Sequence, residues 1–536
     1  MSFIFQDVSN KNLNRLQVGI LLVFSAIPIF VQLPFKINLF LAWEGAYRLS
    51  IGQIPFRDFS LPMGFGFWII PSLFFKVFGP SLYSLVIAQS FINAMGALSF
   101  RSILKKLGLH PTIVLLSLVV FCVSFVFVNF WPWYNNSAFT FQLVATNFLL
   151  THIQSESNKK KTGYLGIATF FLTLSLFTKQ DGGGLAILSA SSLLLYDAIV
   201  TKKIKWLIYY TGFYAIFLCL FIIPFLPYNF SYWFNYGQAP HNARTSLSDI
   251  LIDVFEGSQW IKFYLFAVIT ILIQKLASSK NYFFNRKEML LALFTLSILV
   301  QAMLVQVTSY IPHNVNIYFH SIAFAFLAYH LITSHLQSNW VISIYIMLIM
   351  FWWSADYWRY GKRLINRVWP SDQSIIKSAD KISKYTWLLP DSVTREKEIK
   401  WKVSKYKTFK NVLLPEETIE GIDSLMEMDV LKKDNLKVLN MSELTPLAYE
   451  MKFEPLKNHP MWFHRNVSIF DKQIDEICQR IINNEYDLVL FEEIPYLNQF
   501  YPEKVRKTLQ EHYLKVNSFI APREKSGAFI EVYRQR

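Results

Sequence analysis

The chain has 536 residues, of which 53% are hydrophobic, 17% aromatic and only 17% charged, and its mean hydropathy is positive, which excludes an ordinary soluble protein of this size. Its 52 Lys and Arg against 37 Asp and Glu leave a formal charge of +15, but the basic residues are spread over short loops and a hydrophilic tail, so topology explains them better than a nucleic-acid partner. Cys122, Cys219 and Cys478 have neither the spacing of a zinc site nor that of a disulfide framework.

Lys11 and Arg15 precede about 20 apolar residues with no small-x-small cleavage pattern, which reads as a retained first span. Further apolar runs lie near 81–100, 111–130, 137–153, 163–178, 184–200, 205–226, 261–276, 289–308, 317–334 and 339–355, after the first at 16–35. The fold class expected is therefore a polytopic α-helical membrane protein of about eleven spans. With the N-terminus inside, four basic clusters fall on the cytoplasmic side: Arg101, Lys105 and Lys106; Lys159 to Lys161; Lys202, Lys203 and Lys205; and Lys275, Lys280, Arg286 and Lys287. That parity requires Phe65 to Phe78 not to cross. At about 14 residues, with Pro71 in its middle, the segment suits an interfacial or re-entrant helix in the first extracytoplasmic loop, the alternative being a short tilted span.

An odd number of spans delivers the remainder outside. Three parts are expected: a membrane domain over 1–355, a basic and aromatic connector over 356–400, and an extracytoplasmic α/β domain over 401–536. In the last, Pro415-Glu-Glu-Thr opens a helix to about Met426, Lys437 to Met441 reads as a strand, and Ser442 is placed to cap a following helix. Helices over Asp471 to Asn484 and around Glu503 to Tyr513 flank a strand at Tyr486 to Phe491, and strands near Val516 to Ile520 and Phe529 to Tyr533 close the chain. The alternation implies a small, mostly parallel sheet. No Gly-rich phosphate loop follows any of these strands, so no nucleotide site is read there.

The outward-facing ionisable residues are few. They are Glu44, Arg48, Arg57 and Asp58 in the first loop, Lys179 and Asp181 in Thr178-Lys-Gln-Asp, His241, Arg244, Asp249, Asp253 and Glu256 in the long loop, and His313 in Ser309 to Tyr318. Span interiors carry almost no charge, His320 and His330 being the ionisable candidates, whereas a coupled transporter places charge at the midplane. Charge at one interface suits an enzyme that meets the head group of a lipid-linked substrate. A carboxylate, Glu44 or Asp58, would take a proton from an acceptor hydroxyl, and Arg48, Arg57, Lys179 and His313 would stabilise a phosphate leaving group.

An acidic residue soon after the first span, then Tyr47, then Gly52-Gln-Ile-Pro-Phe-Arg-Asp-Phe, then a short aromatic helix ending Lys76-Val-Phe-Gly79, resembles the C-type membrane glycosyltransferases that use polyprenyl-phosphate sugars. These include the protein mannosyltransferase-like and lipid A aminoarabinose transferase-like enzymes. The resemblance covers roughly residues 16–330 and extends to Thr178-Lys179-Gln180-Asp181 and the His313 segment with Asn316. It implies a polyprenyl-phosphate sugar donor, a lipid, glycan or protein acceptor, a first-loop acidic residue as base with inversion at the anomeric carbon, and an interfacial aromatic helix. Many members carry a second acidic residue in the next outward loop, where this chain has Trp131-Pro-Trp-Tyr-Asn-Asn. The implied mechanism is accordingly metal-independent, with Glu44 the first choice of base and Asp58 its competitor.

Bland readings stand beside these. Asp58 could pair with Arg57 or Arg48 as a loop staple, Lys179 could snorkel, and the residues around His313, His241 and Arg244 could be solvated loop. Trp131 to Tyr134 could be an interfacial aromatic belt. The rival functions are a flippase or transporter of a lipid-linked saccharide, and a surface-polysaccharide polymerase or ligase.

Overall fold

The structure, a computed structural model, describes residues 10–36, 39–60, 63–127, 129–228, 230–237, 247–256, 259–279, 281–309, 318–331, 339–352, 365, 399–465, 468–495, 500–523 and 527–536. His241, Arg244, His313, Asn316 and nearly all of the 356–400 connector lie outside the described residues.

In chain order the elements are α1 (Asn10–Phe30), β1 (Leu33–Pro34), α2 (Leu39–Ser50), β2 (Phe59–Ser60), α3 (Gly66–Phe78), α4 (Leu82–Lys106), α5 (Pro111–Phe121, continued by a π-turn over Cys122–Val126), α6 (Tyr134–Gln154), α7 (Asn158–Leu176), α8 (Gln180–Thr201), α9 (Lys205–Ile222), α10 (Leu247–Glu256), α11 (Gln259–Ser278), α12 (Arg286–Ser309), α13 (Tyr318–Leu331) and α14 (Asn339–Trp352). Then follow β3 (Trp401–Val403), β4 (Val412–Pro415), α15 (Glu416–Met426), β5 (Val438–Met441), α16 (Leu447–Glu450), β6 (His459–Pro460), α17 (Asp471–Ile482), β7 (Leu488–Glu493), α18 (Glu503–His512), β8 (Tyr513–Ile520) and β9 (Phe529–Gln535). Each apolar run of the sequence falls on one of these helices. Among the described residues six helices are long and apolar enough to cross a membrane, and α5 with its π-turn, α13 and α14 contribute shorter apolar stretches.

The chain divides into two compact units. The first comprises residues 1–28, 89–224 and 242–358. Its core interleaves Phe100, Phe121, Phe125, Leu143, Leu172, Leu193 and Phe294, all essentially without solvent exposure. Hydroxyls inside α7 return to the carbonyls one turn back, Thr169 to Leu165 and Thr173 to Thr169; this satisfies them where no water is available. Ile208, Ile216 and Leu220 on α9 and Phe263, Phe266 and Ile273 on α11 are exposed, the character of faces turned to lipid rather than to water.

The second unit comprises residues 29–88, 225–241 and 359–536, so the first loop and the C-terminal region form one body. Its main sheet has the order β5-β7-β9-β8. Only β5 and β7 run parallel, while β7 with β9 and β8 with β9 are antiparallel. The mostly parallel sheet expected from the sequence is therefore a mixed one. The connection from Ile520 to Phe529 is too short for a crossover and closes a hairpin. Ser442 does not cap a helix either. Its Oγ accepts from Leu444 N–H within a turn, and the next helix starts behind Pro446. The amphipathic α17 turns Ile474, Ile477 and Ile481 into this unit's core.

Two short pairings tie the first loop into the unit. β1 joins β4 in parallel through Leu33 and Pro34, and β2 joins β6 through Phe59 with His459 and Ser60 with Pro460. Next to them α2 and α3 pack as a hairpin. Gly45 makes this possible, since a Cβ there would lie 2.1 Å from the Trp68 ring, whose indole N–H donates to Leu41 O at 2.8 Å. At 13 residues, α3 is about 20 Å long, short of a bilayer core.

Candidate functional site

One turn of α2 separates Glu44 from Arg48, and both are buried, 7% and 4% exposed. Arg48 donates from Nε at 2.8 Å and Nη2 at 2.6 Å, both to Glu44 Oε1. Its Nη1 donates to Gln53 Oε1 and to Leu456 O, each at 2.9 Å, and its guanidinium carbon lies 5.4 Å from the Phe59 ring centroid. The Arg48 guanidinium is thus committed on three sides. Glu44 Oε2 receives no hydrogen bond among the described residues. Burial raises the Glu44 pKa above its ordinary value, opposed by the charge and hydrogen bonds of Arg48.

Asp58 is held differently. Its Oδ2 accepts from Ile54 N–H at 2.8 Å and from Arg57 Nη2 at 2.7 Å, its Oδ1 from Arg57 Nε at 3.0 Å, and its own N–H returns to Ile54 O at 2.9 Å. Arg57 lowers its pKa first, burial opposes, and the Ile54 N–H lowers it further. The carboxylate closes a turn in which Phe56 takes a left-handed φ of 63°, anchored by edge contacts of its ring with Phe65 and Phe230. Arg57 keeps 40% of its side chain exposed.

The C-terminal region roofs the pair. Gln53 Nε2 donates to Pro455 O at 2.8 Å and Glu454 Oε1 at 3.2 Å, and Asn458 N–H donates to Asp58 O at 2.8 Å. Glu44 and Arg48 line a cavity of about 30 Å³ with Asn440, Thr445, Phe453, Leu456 and His459, room for about one water. The Thr445 hydroxyl is buried there without a partner among the described residues. His459 bonds Tyr486 Oη at 2.8 Å, and burial pushes its pKa down to about 4, so it is neutral.

The same unit holds a polar cluster that the sequence analysis does not single out. Arg523 donates to Glu443 Oε1 at 3.0 Å and also bonds Glu492, all three essentially unexposed, and Glu492 accepts from Glu443 N–H at 2.8 Å. Tyr501 is held protonated, mainly by burial and then by Glu492 and Glu443, with Glu44 contributing as well. A signal for it existed: Glu443 lies two residues past the end of β5 and Glu492 nearly ends β7, the carboxyl ends of the parallel strand pair, where α/β sheets gather polar groups.

In the first unit, Lys179 Nζ donates to Asp181 Oδ2 at 2.9 Å and lies 5.6 Å from the Tyr134 ring centroid. Asp181 Oδ1 accepts from Gly182 N–H at 2.7 Å, a carboxylate in the first turn of α8 where the helix dipole favours it. Gln180 opens that helix, and Trp133 packs on Tyr134 with ring centroids 4.4 Å apart. Among the described residues no group of three or more His, Cys, Asp or Glu comes together as a metal site.

Solved structures match nearly the whole chain, two of them of one protein. ArnT from Cupriavidus metallidurans in the apo state superposes with a TM-score of 0.54 at 10% identity, covering 97% of this chain and 98% of that one. The same protein bound to undecaprenyl phosphate gives 0.51 at 9% identity, with 97% of each chain covered. The likeness is one of fold, and the fold is the C-type one that the first-loop pattern resembles. No protein-family model and no curated protein sequence matches the chain.

Proposed function

We propose that this chain is a membrane glycosyltransferase that moves a sugar from a polyprenyl-phosphate donor to an acceptor hydroxyl, with Glu44 as the base. The observation that carries the reading is the state of Glu44: a buried carboxylate of raised pKa, fixed through Oε1 by Arg48 while Oε2 has no hydrogen bond among the described residues. A base needs one oxygen held and one open. The acceptor oxygen bonds to the anomeric carbon as the bond from that carbon to the phosphate oxygen breaks. The hydroxyl proton passes to Oε2, and polyprenyl phosphate leaves with the electron pair. Direct displacement inverts the anomeric centre.

Arg48 then acts as a positioning residue, and Arg57, half-exposed, is the first-loop cation open to a phosphate. Lys179 and Asp181 order the start of α8. Glu44 is covered by Phe453 to Pro460, and its cavity of about 30 Å³ is too small for a sugar, so this segment draws back for turnover. An ArnT structure that holds undecaprenyl phosphate supports the donor class. That the first loop and the C-terminal region share one compact unit supports placing both on the same side of the membrane, and the basic clusters of the other loops favour the outer one. The test is to supply the purified chain with polyprenyl-phosphate sugars and measure released polyprenyl phosphate. A protein that consumes none of them but carries them across vesicles refutes the enzyme reading.

A further inference from the structure

Away from Glu44, the first unit gathers four cations around one cleft. Arg101, Lys105 and Lys106 in the last turns of α4 and Lys287 in the first turn of α12 line a space of about 430 Å³, together with Ser102 and Gln154. Among the described residues no carboxylate lines it. The partners of these cations are neutral oxygens. Arg101 donates from Nε to Gln17 Oε1 at 2.8 Å and from Nη2 to Asn14 Oδ1 at 2.9 Å, and Lys105 reaches the same Asn14 oxygen at 3.2 Å. Lys106 donates to Asn147 O at 2.9 Å, to Asn147 Oδ1 at 2.6 Å and to the Thr151 hydroxyl. Among the described residues none of the four cations is ion-paired.

The arrangement is built rather than incidental. Gly108, at φ +83°, leaves the space in which the Lys287 stem lies, since a Cβ there would meet Lys287 Cδ at 3.1 Å. An anion entering the cleft meets these positive charges with no carboxylate among the described lining residues to compete for them. Donors remain for one: Arg101 Nη1 and the ammonium groups of Lys105 and Lys287 are not used up by the contacts described. Guanidinium and ammonium donors around an open cleft at the ends of apolar helices match a phosphate oxygen set.

We propose that this cleft binds a phosphate-bearing anion, and that the headgroup of an acidic phospholipid in the adjoining leaflet is its source. The inference is independent of Glu44 and of any sugar transfer. The purified full-length chain, in neutral detergent, is titrated with phosphatidylglycerol, with phosphatidylcholine and with sodium pyrophosphate, reading Tm and retained lipid by native mass spectrometry. Phosphatidylglycerol is expected to raise Tm and to be retained, while phosphatidylcholine does neither. The comparison variant is K105Q/K287Q, whose two lysines are exposed and anchor no core contact. It should keep the Tm of the parent without lipid and bind phosphatidylglycerol about thirty-fold more weakly. R101Q, which also loses the Gln17 and Asn14 contacts, should lose the lipid-induced shift as well. Pyrophosphate acting in place of phosphatidylglycerol, and lost in K105Q/K287Q, overturns the lipid source while upholding the anion site. Equal response to phosphatidylcholine, or undiminished binding in a folded K105Q/K287Q, overturns the site itself.

Discussion

Replacing Glu44 with Gln removes a proton acceptor while preserving shape. The amide oxygen of the new side chain can still accept from Arg48 Nε and Nη2, and Arg48 keeps Gln53 Oε1 and Leu456 O. Losing one charge of a buried, hydrogen-bonded pair is expected to cost about 1–3 kcal/mol, partly offset because an ionised Glu44 is itself disfavoured by burial. Since domains hold about 5–15 kcal/mol, Glu44→Gln should fold. Loss of a general base lowers kcat by roughly 10²- to 10⁴-fold, far beyond the structural effect. The assay is polyprenyl phosphate release by the purified variant, with Tm measured in parallel. The pH profile gives a second readout. Glu44 must be ionised to act, and its pKa is raised, so activity of the parent falls as pH drops through a value above the ordinary carboxylate pKa of about 4.3. The same shift has the opposite sign for stability: a carboxyl raised on folding stabilises fully below the unfolded value, and that contribution fades as pH rises to the folded one. Residual turnover in Glu44→Gln limited by the same acidic limb, or turnover within threefold of the parent, refutes Glu44 as the base.

Asp58→Asn separates the two first-loop carboxylates: a pKa lowered by Arg57 marks a group whose stabilisation is present above its unfolded pKa and lost as pH falls through the folded one. The variant should therefore lower Tm at neutral pH, less so in acid, and keep kcat within about tenfold, as paired thermal and kinetic measurements would show. Gly45→Ala sets a methyl 2.1 Å from the Trp68 ring and should cost about 1–3 kcal/mol or more by overpacking, visible as a lower denaturation midpoint. Arg523→Met strands Glu443 and Glu492 in the interior and should cost about 3–5 kcal/mol, a loss that Glu443→Gln on top of it should partly restore. Cysteines introduced at Lys160 and Lys472 should react with impermeant maleimide from opposite faces of oriented vesicles; labelling from one face would refute the sidedness proposed here.

What the sequence makes legible follows from the range of the forces involved. A run of apolar residues long enough for a bilayer declares a helix by itself, which is why each such run falls on a helix in the structure. The α17 stripe Ile474, Ile477 and Ile481 declares itself by period. Pairings across the chain are silent, because their chemistry is backbone chemistry. Leu456 and Pro455 receive Arg48 and Gln53 through carbonyl oxygens that any residue would offer, and β1 and β2 are two residues each, too short for alternation to show. The mixed sheet was hidden for a related reason: alternating strand and helix imply parallel neighbours, and only the short link from Ile520 to Phe529 carries the contrary signal. The first-loop charges show both limits at once. Their order beside the first apolar run suffices to suggest a base, yet Glu44 and Asp58 are equivalent in type and in loop. What distinguishes them is the surroundings supplied from residues about 400 positions away: burial under Phe453 to Pro460 raises one carboxyl and leaves Oε2 open, whereas a neighbouring arginine and the Ile54 amide occupy both oxygens of the other. A base must be able to take up a proton, and a carboxylate with both oxygens already bonded in a lowered state is the poorer one, so the roof contributed by the C-terminal region is the reason Glu44, rather than Asp58, is the base we propose.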